Sequence, residues 1–179
     1  LQHLEAAPRD VPLEAVISEA GLRYLPREGG GMGHWLLKTE PDSFGIDQLA
    51  ALPRRTSPWD GVRNYQARNF LRDELRRGDL AFIYHSSCAQ PGIAGIATVV
   101  RAAYPDPSAF QRRHQHFDEH SDAARPRWFA IDVRLQRRFR HLITLAELRE
   151  HSAAKLRGML LLRRGNRLSV TPVSADHWQ

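Results

Sequence analysis

Residues 127–139 read as one long β-strand, and this segment limits the fold more than any other. Phe129, Ile131, Val133 and Leu135 alternate with Trp128, Ala130, Asp132, Arg134 and Gln136, a period of two that sets an apolar row on one face of a sheet. Such a strand needs partners, and the chain supplies them. His34–Lys38, Asp79–His85 and Gly92–Ala102 read as strands, and Gly158–Leu162 and Arg167–Val170 as closing ones.

Helix signals lie around these strands. Ser43–Leu52 reads as a short helix, capped by Asp42 or Ser43 and followed by Pro53. Trp59–Arg63 reads as a turn, after which Asn64 caps a helix running to Arg77. Ala67, Phe70, Leu71 and Leu75 fall on one face of that helix, and Gly78 closes it. Thr144 and Glu147 form a capping box before a helix that ends near His151, and Ser174–Trp178 reads as a last helical turn. Short strands separated by Gly and Pro turns, without regular βαβ alternation, predict an α+β barrel or curled mixed sheet rather than a doubly wound fold.

Residues 1–33 differ from the rest. They hold three basic residues (Arg9, Arg23, Arg27) against five acidic ones (Glu5, Asp10, Glu14, Glu19, Glu28) and end in the glycine-rich run Gly29–Gly33. Val11–Leu22 reads as one short helix. The expected organisation is an N-terminal extension and linker over 1–33, outside the core and of the kind an upstream in-frame start produces, then one domain over 34–179.

Composition excludes several classes. At 42% apolar and 26% charged residues, the 179-residue chain is globular rather than disordered. Its longest nearly apolar stretch, Gly92–Val100, is too short to span a bilayer, and no basic start precedes an apolar leader. No membrane partner is therefore expected. The single Cys88 excludes an internal disulfide and a multi-cysteine zinc site, and favours a reducing, cytoplasmic compartment. The net charge is +6, and all basic residues except Lys38 and Lys155 are arginine. Arginine suits planar bidentate contacts to phosphates and bases, and a GC-rich genome produces the same excess.

Catalytic patterns are missing. Gly92–Ala97 fails the dinucleotide fingerprint and lies inside a strand, and there is no phosphate loop or nucleophile elbow. Cys88 stands near His85 without a cysteine-protease signature. His114, His116 and His120 mix with Asp118, Glu119 and Asp122, but no helical spacing sets ligands on one face, so a solvated loop is favoured over a metal site. No cofactor and no catalytic residue is expected. Trp35, Trp59 and Trp128 each stand near basic or amide residues. Taken singly, a tryptophan is core filling. The same parts also make a pocket for a planar base, with aromatic walls, polar groups on the base edge and arginines on flanking phosphates.

Several long motifs in order then resemble one family. These are Trp35-Leu36-Leu37-Lys38-Thr39-Glu40-Pro41, the run Trp59-Asp60-Gly61-Val62-Arg63-Asn64-Tyr65-Gln66-Ala67-Arg68-Asn69, and Tyr84-His85-Ser86 leading into Pro91–Ala97. Ala103–Pro107, Pro126–Trp128 and Arg167–Val173 continue the match, which runs from about His34 to Trp178. Together they resemble the EVE domain family of the PUA-like superfamily, beside the YTH domains that read methylated adenine in RNA. His34 departs from the aromatic residue expected before Trp35. The resemblance implies a PUA-like curled mixed β-barrel flanked by helices, and a non-catalytic reader of a modified base in DNA or RNA. It implies a flipped base near the Trp59-Asp60-Gly61 turn, with Trp59 as an aromatic wall. Lys38 and Asn64 would be polar contacts, Tyr84, His85 and Ser86 would line the mouth, and Trp128 would complete it. Trp35 is included among the ligand-binding candidates. The alternatives are a regulatory or interaction module that binds a small molecule, and an enzyme using Cys88 with His85.

Overall fold

The computed structural model describes the backbone of the strands β1 (Ala15–Ser18) and β2 (Gly21–Tyr24), and residues 30–179. The chain divides into two compact units, Leu1–Gly31 and Met32–Gln179. In the first, β1 and β2 pair antiparallel, Ala15 opposite Tyr24 and Ser18 opposite Gly21. This replaces the helix expected over Val11–Leu22, whose remaining positions lie outside the described residues. The β-branched pair Val16-Ile17 prefers the extended chain.

The second unit is built on a six-stranded mixed sheet in the order β4-β7-β6-β5-β3-β8. The strands are β3 (His34–Thr39), β4 (Thr56–Trp59), β5 (Leu80–His85), β6 (Gly92–Pro105), β7 (Phe129–Thr144) and β8 (Val170–Val173). Only β3 and β5 run parallel; the other neighbours are antiparallel. Ile131, Val133 and Leu135 of β7 are buried, as its alternation predicts. The β6–β7 ladder shifts register at four places, and each bulge bends the sheet, which gives the curl. Gly95 permits the closest approach, because a Cβ there would collide with the carbonyl oxygen of Arg137.

The helices are shorter than expected. Ser43–Leu52 is split into α1 (Pro41–Phe44) and α2 (Ile46–Ala51) by the extended Gly45, whose N–H donates to Gln48 Oε1 at 2.9 Å. Asn64 caps α3 (Tyr65–Asn69), which continues as a π turn over Phe70–Glu74 and stops before Leu75. The expected apolar face holds: Ala67, Phe70, Leu71 and Leu75 are all buried. Thr144 and Glu147 make the capping box of α4 (Leu145–Glu150), and Ser174 caps α5 (Ala175–Trp178). Gly158–Leu162 is not a strand. Leu160–Leu162 forms a 3-10 turn tied by Asn166, whose side chain donates to the Leu160 carbonyl and accepts from the Leu168 N–H. The closing strand therefore begins only at Val170. Among the described residues, no helix is long and apolar enough to cross a membrane.

One core cluster packs Leu36, Phe82, Tyr84, Ile93, Leu148, Met159, Leu161 and Val173. Trp178 closes it, stacked on Phe82 with centroids 4.0 Å apart and on His34 at 4.6 Å. Asp79, buried just before β5, accepts from the Gly33 N–H, the Trp35 indole N–H and the Arg76 N–H at 2.9, 2.9 and 3.0 Å.

Two outcomes are expected. Asp79→Ala leaves those buried donors without their acceptor and costs about 3 kcal/mol or more, read by urea denaturation. A chain beginning at Met32 keeps the melting temperature and circular dichroism of the 32–179 unit; loss of cooperative unfolding would show that residues 1–31 belong to the core.

Candidate functional site

The edge strand β4 ends at Trp59, and the chain then turns sharply through Asp60–Arg63 into α3. Gly61 makes the turn possible. Its φ is +73°, and an added Cβ would lie 2.5 Å from the His116 ring. Asp106, fully buried between β6 and the 3-10 turn Pro107–Phe110, holds the turn in place. Its Oδ2 accepts from the Gly61 N–H at 2.9 Å and from Arg63 at 2.8 Å, and its Oδ1 accepts from the Ser108 N–H and hydroxyl. Arg63 also donates to Ser108 Oγ and to the His116 carbonyl. Burial pushes the Asp106 carboxyl up, but the hydrogen bonds from Ser108, Arg63 and Gly61 outweigh it and hold the group below the ordinary carboxylate range.

Aromatic rings flank this turn. Trp59 is 6% exposed and packs edge-on against Phe44, centroids 6.4 Å apart. Its indole N–H has no hydrogen-bond acceptor among the described residues, whereas Trp35 donates to Asp79 and Trp128 donates to Asp118 at 2.6 Å. On the other side, Trp128 stacks on Tyr65 at 4.9 Å, with the Arg63 guanidinium 5.4 Å from its ring centre and Arg68 4.9 Å from that of Tyr65.

The second group gathers where β3 and β5 end side by side. The parallel register puts Lys38 opposite Tyr84 and Thr39 opposite His85. Lys38 Nζ lies 5.9 Å from the Tyr84 ring centre, and burial lowers the ammonium pKa. The buried Tyr84 phenol is pushed up by its surroundings, against the nearby Arg149. The Ile46 N–H donates to His85 Nε2 at 3.1 Å, and burial lowers the His85 pKa, so the neutral ring with its proton on Nδ1 fits this geometry. The Ser86 N–H donates to the Thr39 carbonyl at 2.9 Å. The Thr39 hydroxyl donates to the Phe44 carbonyl at 2.5 Å, so Phe44 links the end of β3 to Trp59.

A family model described as the EVE domain matches residues 33–179. The chain belongs to the EVE domain family. Human thymocyte nuclear protein 1 is 43% identical to it over 160 residues, which is 81% of this chain and 70% of that protein. A Pseudomonas syringae protein of known structure is 44% identical, with a TM-score of 0.76 over 81% of this chain and 94% of that one. The human THYN1 protein, crystallised in complex with 5-methylcytosine-containing DNA, is 41% identical, with a TM-score of 0.77 over 82% of this chain and 93% of its own. The α+β, PUA-like curled sheet expected from sequence is the fold of this EVE domain.

The EVE domain thus brings Trp59, Asn64 and Trp128 around one turn, and Lys38, Tyr84, His85 and Ser86 to the ends of two parallel strands. Asn64 is exposed but spends its Oδ1 on the Ala67 N–H as helix cap. Trp35 stands apart: it is 2% exposed, tilted against Phe70 and tied to Asp79, which gives it a core position. Sequence reading gave no site role to Phe44, Tyr65 or Asp106, although Tyr65 and Asp106 stand in the family motifs. Asp106 had a local signal only, as an acidic residue before Pro107, and its partner Arg63 lies too far along the chain for any spacing rule. The histidine segment is also more built than a solvated loop. His114 Nδ1 accepts from the His116 N–H at 3.1 Å, and the His116 ring covers Gly61. Among the described residues, no group of three or more His, Cys, Asp or Glu side chains is placed to hold a metal.

Asp106→Ala is expected to leave Arg63 unpaired in a mostly buried place and to cost about 3–5 kcal/mol. Because the folded carboxyl titrates below its ordinary value of 3.8, its stabilisation is complete above that pH and is lost on acidification below it. Asp106→Asn should flatten the acid limb of a stability–pH curve measured by denaturation.

Proposed function

We propose that this EVE domain binds DNA carrying a modified base, 5-methylcytosine in the first instance, and holds the flipped base beside Trp59 without chemistry. The observation that carries this reading is the human THYN1 complex, whose fold and sequence match over four-fifths of this chain. Local geometry supports it. Trp59 supplies an aromatic wall and a free indole donor at the end of an edge strand. Lys38, Asn64, Tyr84, His85 and Ser86 supply polar groups on the approach, and Trp128 closes the far side of the turn.

Magnitudes set what such a site can do. Extruding a base from a duplex costs a few kcal/mol, and stacking on an aromatic side chain returns about 1–3 kcal/mol. A buried methyl adds only about 0.8 kcal/mol, roughly fourfold in affinity. A methyl makes no hydrogen bond, so stronger selectivity needs a mark that carries a polar group, for which the Trp59 N–H, the Lys38 ammonium, the Tyr84 hydroxyl and the Asn64 amide N–H are the available partners. The enzyme alternative is weakened by His85. Its Nε2 is already occupied by the Ile46 N–H, so it is not free to activate Cys88. A small-molecule module stays separable by salt. Phosphate contacts make affinity fall steeply with ionic strength, and a neutral ligand does not.

The test is fluorescence anisotropy with 5-methylcytosine duplex, unmodified duplex and RNA of the same sequence. Trp59→Ala should cut affinity for the marked duplex about 5- to 150-fold, the range that one aromatic stack supplies. The ring is buried, so Ala also lowers stability, and Trp59→Phe is the companion that keeps the fold and most of the binding. Equal affinity of wild type and both variants for the marked duplex would refute the site. Preference for RNA would move the reading from DNA to RNA.

A further inference from the structure

The turn that leads into β4 is strained and basic. Arg54 and Arg55 stand in succession at φ +53° and +50°, in the left-handed region that arginine seldom enters. Nothing in their own side chains favours it. The surroundings impose it: the Arg55 N–H donates to the Leu52 carbonyl at 2.8 Å, and the Thr56 hydroxyl donates to the Arg54 carbonyl at 3.0 Å. Arg134 of the adjacent strand donates in turn to that Thr56 hydroxyl at 3.3 Å. Held strain of this kind, at an exposed pair of like charges, marks a turn kept for what it presents.

The neighbouring strand presents the same charge. The β4–β7 register pairs Thr56 with Arg134, and beyond it β7 continues along the sheet edge with exposed Arg137 on the same face as Arg134, exposed Arg138 on the other face, and exposed Arg140. Of this group only Arg138 is neutralised, by Asp47 at 2.9 Å; no carboxylate pairs with Arg54, Arg55, Arg134, Arg137 or Arg140 among the described residues. The surface therefore keeps most of its charge. The turn and the site share the edge strand β4: Trp59 stands three positions beyond Thr56, about 10 Å at strand rise, with its side chain on the other face of the sheet.

We propose that the Arg54–Arg55 turn and the arginines on both faces of the β7 edge form a docking rim for the phosphodiester backbone of the duplex that flanks the flipped base. This rests on the DNA-binding reading above and adds a division of labour to it. The arginines set affinity and register without regard to the mark, and the Trp59 site sets discrimination.

Two variants of opposite sign test it by anisotropy titration from 50 to 200 mM salt, on marked and unmarked duplexes. R54N/R55N removes both charges with a residue that tolerates the left-handed backbone, so the turn survives. The log–log salt slope should become shallower by about 2, near 0.9 for each phosphate that is no longer neutralised. Affinity should fall by one common factor for both duplexes. D47N frees Arg138 and should raise affinity and steepen the slope by up to about 0.9. If R54N/R55N leaves slope and affinity unchanged while Trp59→Ala still abolishes discrimination, the docking surface is wrong and the site stands. If the wild-type protein binds neither duplex at any salt, the DNA-binding reading falls and this surface falls with it.

Discussion

The buried carboxylate of Asp106 organises the Trp59 end of this domain. A single side chain at the β6 end of the sheet gathers a backbone N–H from Gly61, the guanidinium of Arg63 and both donors of Ser108. Without it the Asp60–Arg63 turn would carry a stranded arginine and an unpaired amide. With it, the turn becomes a rigid step from β4 into α3. Trp59 before the step, Asn64 after it and Trp128 beside it all take their positions from that anchor. The arrangement is also closed sterically, because the His116 ring fills the space where any side chain at position 61 would go.

A second constraint is the lone parallel pairing of β3 with β5 in an otherwise antiparallel sheet. Parallel strands end at the same side, so Lys38 and Thr39 come out level with Tyr84 and His85. The chain between these strands is long enough to pass along the sheet edge as β4 and return through α3. The same crossover that permits the parallel pair therefore delivers Trp59 to the rim. Phe44, fixed by Thr39, is the contact through which the two groups meet.

Much of this was legible in the sequence. The alternation of Phe129–Leu135, the helical face of Ala67, Phe70, Leu71 and Leu75, and the Thr144–Glu147 box are local patterns, and local patterns survive folding. The misreadings occurred where longer-range or competing bonds took over. Gly45 broke an expected helix because Gln48 caps its N–H. Asn166 kept Gly158–Leu162, and the first residues of Arg167–Val170, from becoming strands by binding the backbone itself. The candidate residues were legible as aromatic and polar motifs, and the side chains that support them were not. Trp35 and Trp59 look alike as sequence, and only Asp79, placed by the fold, distinguishes a committed indole from a free one.

The two outermost strands have a consequence for how the molecule meets its neighbours. β4 and β8, at opposite ends of the sheet, are four residues each, and each contains a proline, Pro58 and Pro172. A proline has no N–H to offer an incoming strand, and a short edge gives such a strand little length to pair with. Both outermost strands are thereby poor templates for strand addition from another chain. The β4 edge beside Trp59 thus meets solvent through its side chains while its backbone remains a poor template for pairing.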